Sequence, residues 1–332
     1  MRALLLEAAG LGGLRMSERP DPVPGAGEVV VALRAAALNH RDLWACRGFK
    51  PGARPAVLGS DGAGVVASVG AGVTDLSVGA EVVINPSLHW PAHQPFPGPE
   101  FQILGGPTDG TFAEQVVVSR RNVFAKPTHL GFEEAAALPL SALTAWHALV
   151  TVGRLAPGET VLVPGAGGGT ANACVQIAHA LGARVIATSR DPSKRERLAA
   201  LGAGLALDSA GAFAEEVRKA TGGRGAELVV ESVGRATFEQ SVKSLARGGR
   251  LVVYGSTSGD TVQLDLVPFF LGWQSILGST MGHAGDFAAM LAFVSRHGLR
   301  PAIDRVFAFS EAPAAFAHLD RGIQFGKVVL AF

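Results

Sequence analysis

One segment of the chain is built of residues that could handle a phosphate. Residues 161–163 are apolar, Pro164-Gly165-Ala166-Gly167-Gly168-Gly169-Thr170-Ala171 follow, and helix-like text begins at once. Four glycines permit a tight turn and let the backbone come close to a pyrophosphate. A helix starting directly after them offers free N–H groups and the positive end of its dipole. The βαβ unit closes about 20 residues later at Thr188-Ser189-Arg190, the spacing of a dinucleotide-binding fold. The plainer alternative is a glycine-rich turn of a flavodoxin-like fold. The last small residue is Ala171 instead of glycine, and Thr170 before it is unusual.

The end of the second strand of such a unit meets the adenosine ribose. An acidic residue there binds the 2′-hydroxyl of NAD. The position is Ser189, which cannot repel a 2′-phosphate and can donate to one. Arg190 follows, and Lys194 lies a helical turn further on, so NADP(H) is expected. Asp191 is the competing feature: a strand ending two residues later would favour NAD.

Other chemistry-bearing residues are sparse. Cys46 and Cys174 form no disulfide framework, fit a reducing cytoplasm and are far apart in the chain. Cys46 has no base near it in sequence. His89 and His93 are four apart, but Pro91 between them argues against a helical metal pair, so no metal site is expected. His40 could relay a proton, since its ordinary pKa near 6.5 suits that role. The reading favoured for His40 and Asp42 is that they hold their loop by hydrogen bonds. Arg41 and Arg47 read as solvated, and Trp44 and Trp146 as cleft or core residues.

The elements around these residues divide the chain in two. The first part reads as short strands at 28–33, 59–69, 81–84 and 111–118, separated by Pro and Gly. Residues 85–108, with six prolines, read as a loop. Residues 133–150 have helical spacing broken at Pro139. Strands at 160–163, 184–188, 205–208, 227–231, 250–255 and 275–279 then alternate with helices at 170–181, 192–201, 212–220 and 236–246. A last helix is expected at 286–297, and strand-like text returns from 302. The alternation predicts an α/β fold: a Rossmann-type doubly wound parallel sheet beside a β-rich domain. The expected boundaries are 1–125, completed by 298–332, for the β-rich domain and 126–297 for the dinucleotide-binding one. A length of 332 residues with 17% charged suits two cores. A net charge of +1 gives no reason to expect nucleic acid, and no apolar run reaches membrane-spanning length.

Several segments together resemble the medium-chain dehydrogenase/reductase superfamily over essentially the whole chain. They are Ala37-Leu38-Asn39-His40-Arg41-Asp42-Leu43-Trp44, Gly59-Ser60-Asp61-Gly62-Ala63-Gly64-Val65-Val66, Leu138-Pro139-Leu140, Leu143-Thr144-Ala145, the glycine loop, Gly278-Ser279-Thr280-Met281-Gly282 and Gln324-Phe325-Gly326-Lys327. The chain looks most similar to the zinc-free, quinone-oxidoreductase-like branch. The resemblance implies a GroES-like catalytic domain beside the Rossmann domain, with the nicotinamide in the cleft between them. Zinc-dependent members have cysteine at Asn39, histidine-glutamate at Ser60-Asp61, another cysteine near Leu140 and a four-cysteine lobe at 85–108. None of those ligands is present here. The resemblance places Asn39, His40, Asp42 and Ser60 at the reacting end. It adds Thr144, Ser232, Gly255, Ser256, Gly326 and Lys327 to Gly165, Ala166, Gly167, Gly168, Gly169, Thr170, Ser189, Arg190 and Lys194 as cofactor contacts. It also implies a homodimer joined along 275–280.

The expected function is NADPH-dependent reduction of a quinone or an activated C=C bond in a small electrophilic substrate. Asn39, Ser60 or His40 would supply a hydrogen bond to its oxygen. Two alternatives stay open: a metal-free alcohol or aldehyde oxidoreductase, and a dinucleotide-binding redox sensor with little turnover.

Overall fold

The computed structural model describes residues 1–50, 56–92 and 94–332, and the chain forms two units, Met1–Leu140 with His283–Phe332, and Ser141–Gly282. His93 lies outside the described residues. Among them, no helix is long and apolar enough to cross a membrane.

The first unit is built on a seven-stranded sheet centred on the strand Glu28–Ala37. That strand pairs antiparallel with Asp61–Val69 along most of its length, with Gln115–Ser119 at one end and with Lys327–Ala331 at the other. Val29, Val31 and Leu33 alternate toward a core shared with Val66, Val82, Ile84 and Val118. Alternation with a period of two puts these side chains on one face. Glycines permit several backbone-on-backbone contacts. A Cβ on Gly110 would lie 2.1 Å from the Gly59 carbonyl oxygen, and one on Gly105 would lie 2.4 Å from it. A second core forms around Leu4, Leu6, Leu38, Leu43, Phe112 and Phe316, which brings helix His40–Gly48 onto the sheet.

The second unit carries a six-stranded, all-parallel sheet. Its spatial order is Leu205–Leu207, Arg184–Thr188, Thr160–Val163, Ala226–Glu231, Leu245–Val253, Ser275–Gly278. In the unit's own strand numbering this is 3-2-1-4-5-6, the doubly wound order in which ligands bind at the carboxyl ends of the strands. Strand Thr160–Val163 is buried throughout, as its unbroken apolar run requires.

Four expectations are corrected. The unit boundaries fall at 140/141 and 282/283, so 126–140 and 283–297 belong to the first unit. Helix Phe132–Ala137 packs on the strands Glu28–Ala37 and Asp61–Val69, and Phe287 of helix Ala284–His297 lies 4.9 Å from Phe124, centroid to centroid. The helix expected at 236–246 is only Phe238–Lys243, because Leu245 already pairs with Ala226 in the parallel sheet. The tail from 302 contains helix Ala312–Asp320 between its two strands. In 85–108 a short hairpin, Ser87–Leu88 with Gln102–Ile103, encloses a buried Trp90 that packs edge-on against Phe101 and His283. An aromatic cluster thus gives this lobe its core.

Candidate functional site

In the second unit the glycine loop is pinned from two sides. The Gly165 N–H donates to Thr188 Oγ1 at 3.1 Å, and the Ala166 N–H donates to the Thr188 carbonyl at 2.7 Å. Asn172, one turn into the following helix, donates its side-chain amide to the Ala166 carbonyl at 2.7 Å. Gly165 adopts φ +61°, and Val233 packs so closely that a Cβ would meet its methyl at 2.5 Å. Helix Gly169–Ala180 begins with Gly168 as N-cap and has no side-chain cap. Its first N–H groups are therefore not taken by a capping side chain, as a phosphate site needs. Gly168 has nothing within 4 Å of a would-be Cβ, whereas Lys194 lies over Gly167, its Nζ 3.4 Å from such an atom.

Ser189 sits just past the end of strand Arg184–Thr188 and is buried. Its Oγ accepts from the Asp191 N–H at 3.3 Å, and its carbonyl accepts from Arg195 at 2.8 Å. Asp191 caps helix Pro192–Ala200, accepting from the Ser193 N–H at 2.9 Å and the Ser193 hydroxyl at 2.8 Å. The Ser193 hydroxyl, foremost among its causes, holds the Asp191 carboxyl below the usual range. Arg190 is exposed beside it. Ser232, Gly255 and Ser256 gather past the ends of the next two strands. A Cβ on Gly255 would lie 3.2 Å from the Ser232 carbonyl, and Ser256 packs on Gly234. Thr144 is buried in the same unit, with its hydroxyl on Met281 Sδ.

Sequence reasoning missed Glu231, which holds these loops in place. It is fully buried and accepts from the N–H groups of Val233 and Gly234 and from the hydroxyls of Thr237 and Ser241. The only signal for it in the sequence is an acidic residue ending an apolar strand, followed by hydroxyls at 237 and 241.

In the first unit the expected reacting-end residues do converge, joined by partners the sequence did not reveal. Lys327 Nζ donates to Asn39 Oδ1 at 2.6 Å and to Asp61 Oδ2 at 2.8 Å. Asn39 Nδ2 donates to the same Asp61 oxygen at 3.0 Å, and the Leu140 N–H donates to Asp61 Oδ1 at 2.7 Å. Asp61 is fully buried and the Lys327 side chain is only 4% exposed. Four segments distant in sequence meet on this one carboxylate. Gly326 and Lys327, expected among the cofactor contacts, therefore have another setting. Lys327 is paired within this cluster, and Gly326, at φ +94°, lets the chain cross the Ala302 carbonyl, 2.2 Å from a would-be Cβ.

Two of the four candidate catalytic residues have structural duties. Asp42 Oδ2 accepts from the Asn39 N–H at 2.8 Å in a capping box that starts helix His40–Gly48. Burial, opposed by Arg41, pushes its carboxyl up to about 6, and its Oδ1 has no hydrogen-bond partner among the described residues. The Ser60 hydroxyl hydrogen is engaged by the Leu104 carbonyl at 2.8 Å, while its oxygen accepts from Arg41 at 2.7 Å. Arg41, read as solvated, is thus held in the cluster. Asn39 bridges Lys327 and Asp61, and His40 is the partly buried side chain next to it in the chain. His40 stands edge-on to Trp44 at 5.3 Å, and burial followed by the nearby Arg47 lowers its pKa.

Comparison with known proteins agrees with both units. Residues 25–128 match the alcohol dehydrogenase GroES-like domain, and residues 169–296 match the zinc-binding dehydrogenase domain. A zinc-type alcohol dehydrogenase-like protein of Schizosaccharomyces pombe is 34% identical over 98% of this chain and 96% of its own length. A solved NAD-dependent alcohol dehydrogenase is 41% identical with TM-score 0.95, covering 100% of both chains. A 2-octenoyl-CoA carboxylase reductase, solved with NADP and 2-octenoyl-CoA, is 28% identical with TM-score 0.90 over 99% of this chain and 87% of its own. The chain belongs to the medium-chain dehydrogenase/reductase superfamily.

Zinc, which the family name implies, does not fit the residues found here. Asn39, Ser60 and Leu140 offer neither thiolate nor imidazole, and an ammonium lies between Asn39 and Asp61. Among the described residues no three His, Cys, Asp or Glu side chains converge as a metal site needs.

Burial of Asp42 gives a pH-dependent prediction. A carboxyl raised from 3.8 to about 6 weakens the folded state as pH rises through that window, because the unfolded chain ionises first. Asp42→Asn keeps the acceptor for the Asn39 N–H and removes the buried charge. Its stability relative to the parent should rise between pH 4 and 6 and level off above 7, at roughly 3 kcal/mol. Urea denaturation across that range measures it; a flat difference contradicts this reading of Asp42.

Proposed function

We propose that this protein is an NADPH-dependent oxidoreductase that reduces a quinone or an activated C=C bond without zinc. The observation that carries the reading is the Lys327 ammonium, set among Asn39, Asp61 and the Leu140 N–H where a metal-dependent relative would need its ligands. Without a Lewis acid, oxidation of a plain alcohol lacks several kcal/mol of alkoxide stabilisation. A quinone or an enoyl compound is electrophilic already.

When bound, the nicotinamide supplies the hydride. The protein's part is positioning, exclusion of water and a hydrogen bond to the oxygen that gains charge. Asn39 and His40 are the nearest candidates for that bond, because the Ser60 hydrogen is engaged elsewhere. The solved relative bound to NADP and 2-octenoyl-CoA supports an enoyl-type substrate. The alcohol dehydrogenase relatives favour the second reading, a metal-free alcohol or aldehyde oxidoreductase.

The preference for NADPH rests on Ser189, Arg190 and Lys194. Asp191 competes less well for the ribose because its carboxylate already caps a helix. The relative described as NAD-dependent favours the opposite choice. We also infer a homodimer. Among the described residues Ser275–Gly278 pairs on one side only, and Leu266, Val267, Phe270, Leu271 and Trp273 beside it in the chain are exposed. A cytoplasmic setting accords with two free, buried thiols, each pushed up to about 12 mainly by burial.

Turnover of quinones, 2-enals and simple alcohols with each cofactor tests the first reading. Quinone or enal reduction with NADPH should dominate, and Arg190→Ala should lower kcat/KM for NADPH by roughly 1.5–3 kcal/mol while nearly sparing NADH. Alcohol oxidation alone, or equal losses for both cofactors, contradicts it. Light scattering at micromolar concentration should give twice the 34.1 kDa chain mass; a monomer counts against the dimer.

A further inference from the structure

Arg41 has more donors than the fold uses. It sits in the first turn of helix His40–Gly48, between Asn39-His40 and the buried Asp42. Its side chain keeps 23% exposure. One terminal nitrogen, NH1, is fixed by Ser60 Oγ at 2.7 Å and by the Leu104 carbonyl at 3.3 Å, and Ser60 in turn donates to that carbonyl. The same nitrogen is 3.8 Å from Asp42 Oδ1, too far for a hydrogen bond. The other terminal nitrogen and Nε make no hydrogen bond among the described residues.

The wall beside this fork is built of glycine. Gly59, Gly105 and Gly110 stack backbone on backbone, which brings Leu104 to Ser60 and lays Gly106 along the free side of the guanidinium. A Cβ on Gly106 would stand 3.8 Å from the second terminal nitrogen, an ordinary contact distance, so Gly106 borders that nitrogen without hydrogen-bonding it. A half-buried guanidinium, anchored at one nitrogen and without a hydrogen bond along its other edge among the described residues, matches the planar geometry of a carboxylate or carbonyl.

We propose that Arg41 is a substrate-binding residue whose unused donors hold an acyl oxygen next to the bond being reduced. The ligand class is an α,β-unsaturated acyl compound, read through a carboxylate or a neutral carbonyl. The substrate class rests on the reductase reading above; the oxygen-binding role does not, so it can be tested without turnover. Fixing the oxygen would orient the alkene beside Asn39 and His40. This role explains why an arginine is held here when a neutral residue could fill the volume without desolvating a charge.

The test is isothermal titration of the full chain with trans-2-hexenoate and its primary amide, comparing the parent with Arg41→Met and Arg41→Lys. The parent should bind, Arg41→Met should weaken hexenoate by roughly tenfold or more, and Arg41→Lys should recover part of the loss. A smaller loss for the amide identifies the carboxylate as the preferred group; an equal loss identifies the carbonyl. If Arg41→Met fails to fold, Ser60→Ala keeps the guanidinium but removes its anchor, and it should weaken both probes. Unchanged affinity in the folded Arg41 variants, or a parent that binds neither probe at millimolar concentration, overturns the proposal. A parent that binds hexenoate through Arg41 yet reduces no alkene or quinone leaves this site standing and removes the reductase reading.

Discussion

A buried ammonium–carboxylate pair governs the first unit. Lys327 and Asp61 are both removed from water, and such a pair is stable only when the remaining lone pairs and protons are satisfied. Asn39 bridges the two, and the Leu140 N–H takes the second carboxylate oxygen. The pair therefore fixes where the strands Glu28–Ala37, Asp61–Val69 and Lys327–Ala331 and the segment at Leu140 stand relative to one another. Removing either charge would leave the other buried and unpaired, which typically costs 3–5 kcal/mol.

The surrounding chemistry follows from that constraint. Asn39 cannot turn away without breaking two bonds, so its amide is oriented in advance. The helix it caps starts at His40, and this places Arg41 against Ser60 and His40 against Trp44. The second unit uses the same device in another form. Glu231, buried at a strand end, gathers the backbone of Val233 and Gly234, and Val233 in turn closes on Gly165 of the phosphate loop. In each unit a buried carboxylate organises loops that carry the polar groups.

What the sequence revealed follows the range of the interactions. The strands Glu81–Ile84, Thr160–Val163 and Arg184–Thr188 were legible to the residue, because local apolar runs and glycine punctuation define them. The glycine loop was legible too, since its strand, turn and helix are contiguous. The pairing of Lys327 with Asp61 was not legible because 266 residues separate them, and no local pattern reports such a pairing. Arg41 was read as solvated for the same reason: its anchors at Ser60 and Leu104 come from other segments. The unit boundaries shifted because helices Phe132–Ala137 and Ala284–His297 have amphipathic patterns that do not say which sheet they cover.

Metal content measured together with activity tests the central claim most directly. The protein would be dialysed against zinc, desalted, and analysed for zinc per chain and for turnover before and after chelation. An ammonium seated between Asn39 and Asp61 predicts well under one zinc per chain and activity indifferent to chelator. One zinc per chain, removed together with activity, would contradict the account.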